Sequence, residues 1–575
     1  MTSTNTTHFS RARTFRTRVA LTLTMLMLLV AAATTMAQAP TYEVLYNLAS
    51  HTGDPWYPQW IGLFAQGRDG NLYSTSQAGD LLNGQRYGTV FQLTPAGSVT
   101  VVHSFTGQNA QGGFPNGGLT LGTDGSLYGT SVGDGLGYGT VFKITTSGQF
   151  TVLHNFKGGL TEGVAPLAAP IQGTDGNFYG TTKFGGSNDY GTVYKMTPSG
   201  TLTVLYMFTG SYSSGSLRIP VALILGTDGN FYGTTIGGGQ ALCNGGCGGI
   251  YKMTPAGKLT VLHSFNNTDG AYPYGAIIQA SDGNVYGTTN RGGSGTFGVI
   301  YKMTPAGGFS IIHTFLETDN LGYMPQAGLI QATDGKFYGA ANGPLVGRHG
   351  VLFQITSTGT YSVIHRFNLT DGSGPQVSLF PHTNGTLYGD TYEGGGGTVC
   401  GNVSVGCGVL YSLSMGLGSF VSFLPPQSSG KVGKTIEFLG QGFTGTTNVS
   451  FHGGSATFTV VSDTYLTAVV PASGTTGFVT VTTPSGTLTS SKQFKVIPGI
   501  TSFTPTSGPV GTKVTITGSG FIGATKVTFG GVKATSYTVN SGTQITATVP
   551  TGAKTGNIAV TTPGGSASKG TFTVS

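Results

Sequence analysis

Residues 173–208 read GTDGNFYGTTKFGGSNDYGTVYKMTPSGTLTVLYMF and form one period of a long tandem repeat. The Asp-Gly of this stretch returns every 50 to 55 residues, with Asn384-Gly385 in the seventh place. A fixed period of this length is typical of propellers, solenoids and other arrays in which every repeat is one supersecondary unit. The six repeated aspartates are Asp69, Asp124, Asp175, Asp228, Asp282 and Asp334.

Each period contains four short segments that are rich in β-branched and aromatic residues and are bounded by Gly, Pro and Asp. Such segments predict β-strands. Asp-Gly supplies the positive φ of a tight hairpin between the first and second strands. Thr-Pro-Ala-Gly or a close variant, as at 94–97 and 254–257, predicts the turn between the third and fourth strands. Each period is therefore predicted to be a four-stranded antiparallel meander.

The two ends of the repeat array are complementary. Val44 to Leu48 has the pattern of a fourth strand without a third strand before it, and Gly408 to Leu413 has that of a third strand without a fourth strand after it. Pairing the two would complete a seventh sheet and remove open sheet edges, which favour aggregation. The sequence therefore predicts an all-β fold with a seven-bladed β-propeller closed by its N-terminal strand. An open solenoid is the alternative.

The motifs of the repeat resemble a known family. The succession of DGNLYGTT, Gly-Gly, GTVFKLTPSG and TVLYSF is matched closely over residues 41–415 and resembles the bacterial GloVer (Gloeobacter/Verrucomicrobia-type) tandem-repeat family. The seventh copy departs from this pattern at Asn384 and Asp390. The resemblance implies a secreted repeat protein and brings no established activity with it.

Residues 1–39 have the pattern of a secretory signal peptide. Four arginines at 11–18 precede an apolar stretch at 19–33, and Ala37-Gln38-Ala39 is a cleavage-site pattern. The stretch is shorter than the about 20 residues that span a membrane, so an uncleaved anchor is only the alternative. Without these arginines the net charge falls from +7 to +3, and no basic run is left for nucleic acid. We therefore predict a secreted, extracellular monomer with no stable membrane span after cleavage, on the bacterial cell surface or in the periplasm.

Residues 416–575 leave the repeat pattern. Two similar segments follow, one containing GQGFTGTTNVSFHGG and the other GSGFIGATKVTFGG, and each has a later Thr-Gly hairpin. Both resemble the IPT/TIG family of immunoglobulin-like β-sandwiches, and this resemblance implies spacing and protein contact without catalytic residues. Each segment is long enough to hold its own core. The expected domains after the signal peptide are therefore 41–415, 416–497 and 498–575.

The four cysteines lie in loops between the second and third strands. Cys243 and Cys247 belong to the fourth repeat, and Cys400 and Cys407 to the seventh. In a secreted chain an even number of loop cysteines predicts disulfides. Zinc is the alternative, but zinc sites usually need four converging ligands, and the two repeats are not neighbours. We predict two local disulfides.

Other repeated polar residues favour structural roles. An Asp followed by Gly is better explained by a turn than by a calcium site, which needs six to eight converging oxygens. A His recurs in the fourth strand where other copies have Tyr46 and Tyr206, so packing with a hydrogen bond is predicted there, although His is the commonest transition-metal ligand. No metal site and no cofactor is predicted. The recurring histidines are His103, His154, His263, His313 and His365.

The variable loops are the candidate binding surface. In a four-stranded meander the turns after strands one and three leave one face, and the loops after strands two and four leave the other. Only the latter vary widely in length here, as 77–87 and 392–407 show, and loops on a rigid scaffold usually carry binding sites. Aromatic rings in these loops suit stacking on sugars or on partner side chains, or they fill the loop base. The candidate ligand-binding residues are Trp56, Tyr57, Trp60, Tyr272, Tyr274 and Tyr323.

Two functions remain open on the sequence. The first is a secreted or cell-surface scaffold that binds an extracellular glycan or protein through the variable loops, without catalytic residues. The second is a carbohydrate-active hydrolase or lyase that uses acidic residues of the same loops. Sequence spacing does not fix the carboxyl separation that a glycoside hydrolase requires, so the first function is favoured. The close acidic pairs are Glu317 with Asp319 and Asp390 with Glu393.

Overall fold

The computed structural model describes residues 39–56, 64–79, 87–107, 111–133, 137–210, 216–240, 242–317, 322–343, 349–397 and 406–575. These residues form strands, turns and loops without an α-helix, which confirms the predicted all-β class. None of the segments just given contains a helix that is long and apolar enough to cross a membrane. The predicted signal segment lies outside the described residues, except for Ala39.

The repeat region begins with strand β1 (Thr41–Asn47), which is followed by the strands of six four-stranded antiparallel sheets. We call these repeat sheets 1–6 in chain order. Each is a meander of four strands of one repeat, as the sequence predicts. Sheet 1 contains β2 (Ala65–Gln66), β3 (Leu72–Ser76), β4 (Thr89–Leu93) and β5 (Val99–Ser104). Sheet 2 contains β6 (Leu119–Leu121), β7 (Leu127–Ser131), β8 (Thr140–Ile144) and β9 (Phe150–Asn155).

Two short strands, β10 (Gly163–Val164) and β13 (Phe184–Gly185), pair with each other beside sheet 3. Sheet 3 contains β11 (Ile171–Gln172), β12 (Phe178–Thr182), β14 (Thr192–Met196) and β15 (Leu202–Met207). Sheet 4 contains β16 (Leu217–Leu225), β17 (Phe231–Gly238), β18 (Gly249–Met253) and β19 (Leu259–Ser264). Sheet 5 contains β20 (Ile278–Gln279), β21 (Val285–Thr289), β22 (Val299–Met303) and β23 (Phe309–Thr314). Sheet 6 contains β24 (Ile330–Gln331), β25 (Phe337–Ala341), β26 (Val351–Ile355) and β27 (Tyr361–Arg366).

Repeat sheet 7 is built from both ends of the repeat region. It contains β28 (Phe380–Pro381), β29 (Thr386–Asp390) and β30 (Val409–Ser414), with β1 as its fourth strand. β1 runs antiparallel to β30, with Tyr42 opposite Leu413 and Asn47 opposite Val409. The predicted pairing of the first strand with the last sheet of the repeats is therefore confirmed.

Each repeat sheet is hydrogen-bonded to the next one. Gln172 Oε1 at the end of β11 accepts the backbone N–H of Thr123 in sheet 2 at 2.9 Å. Thr383 N–H donates to Gln66 Oε1 at 3.2 Å, which links sheet 7 to sheet 1. The contacts therefore close a circle. The remaining links are Gly118 N–H to Thr75 Oγ1, Ile219 N–H to Tyr190 O, Thr227 N–H to Gln279 Oε1, Ser281 N–H to Gln331 Oε1 and Gly328 N–H to Ser378 Oγ.

The second strand of each repeat sheet is buried almost throughout, because both faces of a sheet pack against neighbouring sheets. Aromatic rings fill the space between sheets. Tyr128 of sheet 2 stacks on Phe178 of sheet 3 at 3.9 Å between ring centroids, and Tyr179 contacts Phe231 of sheet 4 at 4.2 Å. A fully buried side chain of this size contributes about 1.5–3 kcal/mol, so these contacts hold the sheets in a fixed arrangement.

Residues 422–574 form two further modules of two sheets each. In the first C-terminal module, one sheet has β31 (Ser422–Phe423), β33 (Thr435–Leu439), β37 (Tyr465–Val469) and β36 (Phe458–Ser462), in that order. The other has β32 (Ser429–Lys431), β39 (Gly486–Ile497), β38 (Gly477–Thr483), β34 (Asn448–Phe451) and β35 (Gly454–Ser455). Phe438 of the first sheet and Phe451 and Phe494 of the second share one core.

The second C-terminal module repeats the strand order of the first. One sheet has β40 (Gly499–Thr504), β42 (Lys513–Ser519), β46 (Gln544–Thr548) and β45 (Tyr537–Ser541). The other has β41 (Ser507–Gly508), β48 (Gly565–Val574), β47 (Gly556–Thr562), β43 (Lys526–Phe529) and β44 (Val532–Lys533). The duplication seen in the sequence thus corresponds to two modules with one topology.

Candidate functional site

The ring of repeat sheets has two faces that differ in how the strands are joined. The face we call the turn face carries the Asp-Gly turns and the turns between third and fourth strands. The opposite face, which we call the loop face, carries the segments that follow the second and fourth strands. This separation follows from the meander order of each sheet.

On the turn face, each Asp-Gly aspartate is the centre of a small side-chain network. Asp175 Oδ1 accepts the N–H of Asn177 at 3.1 Å, and its Oδ2 accepts Tyr179 O–H at 2.9 Å. Lys195 Nζ lies 2.9 Å from the same Oδ2. Burial alone would raise the pKa of this carboxyl, but hydrogen bonds from Lys195, Asn177 and Tyr179 outweigh it and hold the pKa at about 2. The turn role predicted for the aspartates is confirmed, and the repeated lysines serve the same network.

The first C-terminal module lies on the turn face. Arg68 Nη2 is 2.5 Å from Glu437 Oε2, and its guanidinium lies 4.6 Å from the ring centroid of Tyr465. Thr464 Oγ1 donates to Arg68 O at 2.7 Å. Leu439 and Tyr465 also join an apolar cluster with residues of sheets 1 and 2. An ion pair, a cation–π contact and apolar packing therefore hold the module to the ring.

The contacts of this module extend across the ring. Gln441 Nε2 donates to Thr383 Oγ1 of sheet 7 at 2.9 Å, and Lys495 Nζ donates to Thr227 O of sheet 4 at 3.2 Å. Sheets 1 and 7 are neighbours, whereas sheet 4 lies on the other side of the circle. The module therefore occupies the turn face.

In the described part of the loop face, six pairs of neighbouring sheets are joined at the residue before the repeated proline, and we call each of these contacts a joint. At the six described joints this residue has left-handed backbone, with φ between 51° and 64°. Such a φ costs an L-residue about 1–2 kcal/mol, and glycine alone adopts it freely. The seventh joint, at Tyr57, lies outside the described residues. The six residues are Phe114, Ala165, Ile219, Tyr272, Met324 and Gly374.

Main-chain hydrogen bonds hold each joint. The N–H of Tyr272 donates to Cys247 O of sheet 4 at 3.0 Å, and Tyr272 O accepts Asn290 N–H of sheet 5 at 3.1 Å. The proline packs on the glycine that begins the third strand, since a Cβ on Gly191 would lie 2.7 Å from Pro220 Cδ. The joint thus ties one loop to two sheets. The N–H contact recurs at 2.6–2.9 Å in Phe114 to Tyr87, Ala165 to Tyr138, Ile219 to Tyr190, Met324 to Phe297 and Gly374 to His349.

Among the described residues of the loop face, three aromatic side chains are exposed. Phe114, Tyr138 and Phe184 are 37–38% exposed. Phe114 lies beside Tyr87, with 5.7 Å between the ring centroids. A Cβ on Gly158 would lie 2.6 Å from the Tyr138 ring, so the main chain there supports the ring directly. These side chains form the surface that is best suited to stacking.

The sequence-based prediction missed these three rings, although one signal was available. Phe114 precedes the repeated proline, which is also the position of the predicted residue Tyr272. Tyr138 precedes the glycine of the third strand, where Tyr87 and Tyr190 occupy the same position in other repeats. Aligning the repeats at these two positions would have identified Phe114 and Tyr138.

Two of the predicted aromatic residues are buried. Trp56 is 5% exposed and packs with Phe64 and Leu72 in the core between sheets 1 and 7. Tyr323 is also 5% exposed and lies 4.9 Å from Phe297. Neither ring offers a face to a ligand, because core packing uses both. Loop position alone therefore did not separate exposed rings from those that fill the loop base.

Of the other four predicted aromatic residues, two lie in the part of the chain that the structure describes. Tyr272 and Tyr274 are half-buried on the loop face. Tyr272 O–H donates to Asn244 O at 3.0 Å. Burial raises the pKa of Tyr274, with a further contribution from Tyr272. These two remain candidates, whereas Tyr57 and Trp60 lie outside the described residues.

One predicted disulfide is confirmed on the loop face. Cys243 and Cys247 are bonded at 1.98 Å between sulfur atoms, in the loop between β17 and β18. The carbonyl of Cys247 also accepts the N–H of Tyr272, so the disulfide lies directly beside a joint. Cys407 is buried. Its predicted partner Cys400 lies outside the described residues, and that pair stays a prediction.

The recurring histidines pack against aromatic rings as predicted, and three of them also have the predicted polar partner, whereas His103 Nε2 is buried without a hydrogen bond to the described residues. His263 stacks on Phe309 of the next sheet at 4.0 Å, and its Nε2 lies 3.0 Å from Asp269 Oδ2. Asp269 Oδ1 accepts the N–H of Asn266 at 2.9 Å, so the carboxylate also orders the start of the loop. Within the described ranges, no three His, Cys, Asp or Glu side chains converge as metal ligands. The same pairing joins His154 to Glu162 and His365 to Asp371.

Asp390 of sheet 7 is enclosed in the protein. It is 1% exposed, and neither carboxyl oxygen has a hydrogen-bond partner among the described residues. Burial therefore raises its pKa well above the usual value. Five other repeats have Thr at this position and the sixth repeat has Ala340, and the hydroxyl of Thr181 donates to Val221 O of the next sheet. Asp390 is thus buried within the protein, and Asp319 of the other predicted pair lies outside the described residues.

The repeat sheets and their Asp-Gly turns define an all-β tandem-repeat protein. The model of the Gloeobacter/Verrucomicrobia repeat matches residues 32–241, 166–405 and 219–461. The chain therefore belongs to the Gloeobacter/Verrucomicrobia repeat family, as its motifs predicted. The IPT/TIG domain model matches residues 498–574, which form the second C-terminal module. No curated protein matches the sequence.

Several solved structures are similar to the chain at low identity. A periplasmic gluconolactonase of Pseudomonas aeruginosa is 16% identical, with 63% of this chain and 96% of that protein covered and a TM-score of 0.37. A fungal alcohol oxidase of the AA5 family, solved with copper, is 14% identical, with 77% and 98% covered and a TM-score of 0.40. A surface glycan-binding protein of Prevotella bryantii is 22% identical, with 25% of this chain and 38% of that protein covered and a TM-score of 0.20. At these TM-scores we draw no function from the likeness.

Proposed function

We propose that this protein is a secreted or cell-surface scaffold that binds a neutral extracellular glycan through the loop face, without catalysis. In this proposal the repeat sheets are the seven blades of a β-propeller over 41–415. The modules at 416–497 and 498–575 are two immunoglobulin-like spacers, the first of them a second IPT/TIG domain. The observation that carries the proposal is the set of exposed rings on the loop face, Phe114, Tyr138 and Phe184.

Exposed rings that are held in place suit stacking on a sugar. Phe114 is fixed on one side by Tyr87 and through its main chain by the joint. Tyr138 rests on the main chain at Gly158. Because such rings lose little conformational freedom on binding, more of the contact energy is available for affinity. Flat apolar faces with polar edges are the surfaces that aromatic side chains recognise.

The charges of the loop face favour a neutral ligand. Asp54 Oδ2 accepts Tyr46 O–H at 2.8 Å, and the loop carboxylates beside the histidines are paired as described above. Arg218 Nη2 donates to Gly245 O at 2.7 Å and lies over the ring of Tyr190. Lys183 Nζ lies 4.9 Å from the Phe184 ring centroid. These charged groups are engaged within the protein, and the exposed Lys157, Arg291 and Glu317 of the same face are of mixed sign, so a ligand that needs a strong counter-charge of one sign is disfavoured.

Two alternative functions, binding of a protein and catalysis on a carbohydrate, are distinguished by the experiment described below. A protein ligand would use the same rings, as aromatic side chains often dominate protein interfaces. A carbohydrate-active hydrolase or lyase would need a pair of accessible acids, and the enclosed Asp390 does not supply one. Release of soluble sugar during binding would favour the enzyme, and failure on every glycan would favour a protein ligand.

Retention on insoluble polysaccharides tests the proposal. The purified protein is mixed with cellulose, xylan, chitin and mannan, and the bound fraction and the released sugar are measured. We expect retention by at least one of them, weakened at least about tenfold in the Phe114→Ala/Tyr138→Ala variant, since a ring lost from a binding site costs about 1.4 kcal/mol or more. Val510→Ala, 51% exposed in the second C-terminal module, is the matched control and should bind as the wild type does. Equal retention of the ring variant would contradict the proposal.

A further inference from the structure

We infer that the residues before the repeated prolines are the positions that select the glycan. This inference rests on the proposed glycan-binding function and adds the side chains that give it specificity. Ala165 is excluded because its methyl group is 7% exposed, and Gly374 has no side chain. The recognition positions, as we call them, are Phe114, Ile219, Tyr272 and Met324.

The recognition positions are strained. Their φ angles of 51–57° lie in the left-handed region although none of them is glycine. For the β-branched Ile219 this conformation is a genuine outlier. Gly374 occupies the same joint before sheet 7 with a φ of 64°, so glycine is compatible with the joint. The joint imposes the positive φ but does not require a residue other than glycine, and retained strain of this kind is characteristic of binding and switching sites.

The hydrogen bonds of the joint do not involve these side chains. Met324 N–H donates to Phe297 O at 2.8 Å, and Gly374 N–H donates to His349 O at 2.9 Å. The two bonds have the same form although one residue carries a thioether side chain and the other carries none. Because the joint depends on main-chain atoms and the following proline, the side chain at this position can differ in every repeat.

The side chains present apolar groups at the surface of the loop face. Phe114 is 38% exposed beside Tyr87. Tyr272 is half-buried, and its hydroxyl donates to Asn244 O in the disulfide loop, which fixes the ring there. Phe and Tyr offer flat rings, Ile and Met offer alkyl surface, and none carries a charge. This chemistry suits the apolar faces of an uncharged sugar, and its variation between joints would make each sheet recognise a different part of the ligand.

Packing is the competing explanation for the strained residues. Met324 and Tyr272 touch the edges of the buried clusters between sheets 5 and 6 and between sheets 4 and 5. If packing were their role, glycine at these positions would lower the melting temperature. If recognition is their role, glycine relieves the strain and removes only the contact with the ligand.

The experiment measures melting temperature and polysaccharide retention for Phe114→Gly and Tyr272→Gly in the full chain. Ala165→Gly is the matched control, because it relieves the same strain, at a φ of 54°, while removing only a buried methyl group. We expect all three variants to melt at or above the wild-type temperature. Retention should fall at least about tenfold in the first two and stay unchanged in Ala165→Gly.

The possible outcomes separate this inference from the proposed function. If the polysaccharide retains the wild type, and retains Phe114→Gly and Tyr272→Gly as well as it retains the wild type, the inference about the recognition positions is wrong while the proposed glycan binding stands. If both variants melt well below the wild type, packing explains the residues and the inference is also overturned. If the wild type binds no polysaccharide, the proposed function fails and the inference fails with it.

Discussion

The turn face and the loop face are two ends of the same strands, yet they use side chains in opposite ways. On the turn face the repeated residues are side-chain partners, such as Asp175, Asn177 and Tyr179, and the first C-terminal module contacts this face at sheets 1, 4 and 7. At the joints of the loop face the repeated contacts are made by the main chain, and the side chains of the residues before the prolines differ. Residue identity therefore recurs where side chains make the structural contacts, and it varies where main-chain atoms make them.

The largest effect on stability is expected from replacing a glycine of positive φ by alanine on the loop face, compared with the same change on the turn face. Gly191 at a loop-face joint has a φ of 94°, and a Cβ there would lie 2.4 Å from Thr182 O. Gly176 in a turn has a φ of 81° with nothing within 4 Å of a Cβ. We expect Gly191→Ala to cost about 3–5 kcal/mol and Gly176→Ala about 1 kcal/mol, measured by urea unfolding. Equal losses would show that the joints are no tighter than the turns.

Releasing the module from the turn face should have a smaller effect. Arg68→Ala removes the ion pair with Glu437 and the contact with Tyr465. The ion pair is half-buried, so we expect a loss of about 2 kcal/mol, between the values for surface and buried pairs. Small-angle X-ray scattering should then show a larger radius of gyration. Lys434→Ala, an exposed change within the module, is the control and should leave the radius unchanged; a compact Arg68→Ala variant would mean that apolar packing alone holds the module.

The smallest effect is expected at Asp390, and it depends on pH. Burial raises the pKa of this carboxyl above its unfolded value, so the folded chain holds the proton more tightly. The stability that this provides is complete below about pH 4 and is lost as the pH rises through the folded pKa. Asp390→Thr, which introduces the residue of other repeats, should therefore be more stable than the wild type by about 1 kcal/mol at pH 8.

Melting temperatures of wild type and Asp390→Thr between pH 4 and pH 8 test this expectation. The advantage of Asp390→Thr should shrink as the pH falls toward 4, because the wild-type carboxyl is then protonated in both states. Thr181→Val, at the equivalent position of sheet 3, changes no titratable group and serves as the control. A difference between Asp390→Thr and wild type that did not change with pH would contradict the assigned protonation.

Much of the architecture was predictable because its signals are residue-specific. The spacing of Asp-Gly predicted the meanders, and the strand patterns at the two ends predicted the pairing of β1 with β30. The bond between Cys243 and Cys247 followed from their position in one loop. Each of these features depends on the chemistry of one or two residues, which a single sequence displays.

The remaining features depend on three-dimensional packing and had no such signal. Phe114, Ile219 and Met324 give no sequence indication of positive φ, because that conformation is imposed by the joint. The burial of Trp56 and Tyr323 depends on which neighbours close over them. The docking of the module depends on Arg68 and Glu437, which are 369 residues apart. Long-range contacts of this kind cannot be derived from local patterns.

The pairing of β1 with β30 determines the order in which the parts of the newly synthesised chain can fold. β1 is synthesised first, but its only partner strand in sheet 7 is the last strand of the ring to appear. Until then β1 has a bare edge that another chain could pair with. Contacts between such distant segments also form slowly. The six complete sheets can assemble in turn, but the ring is locked in a single late step, and the growing chain needs protection from aggregation until that step.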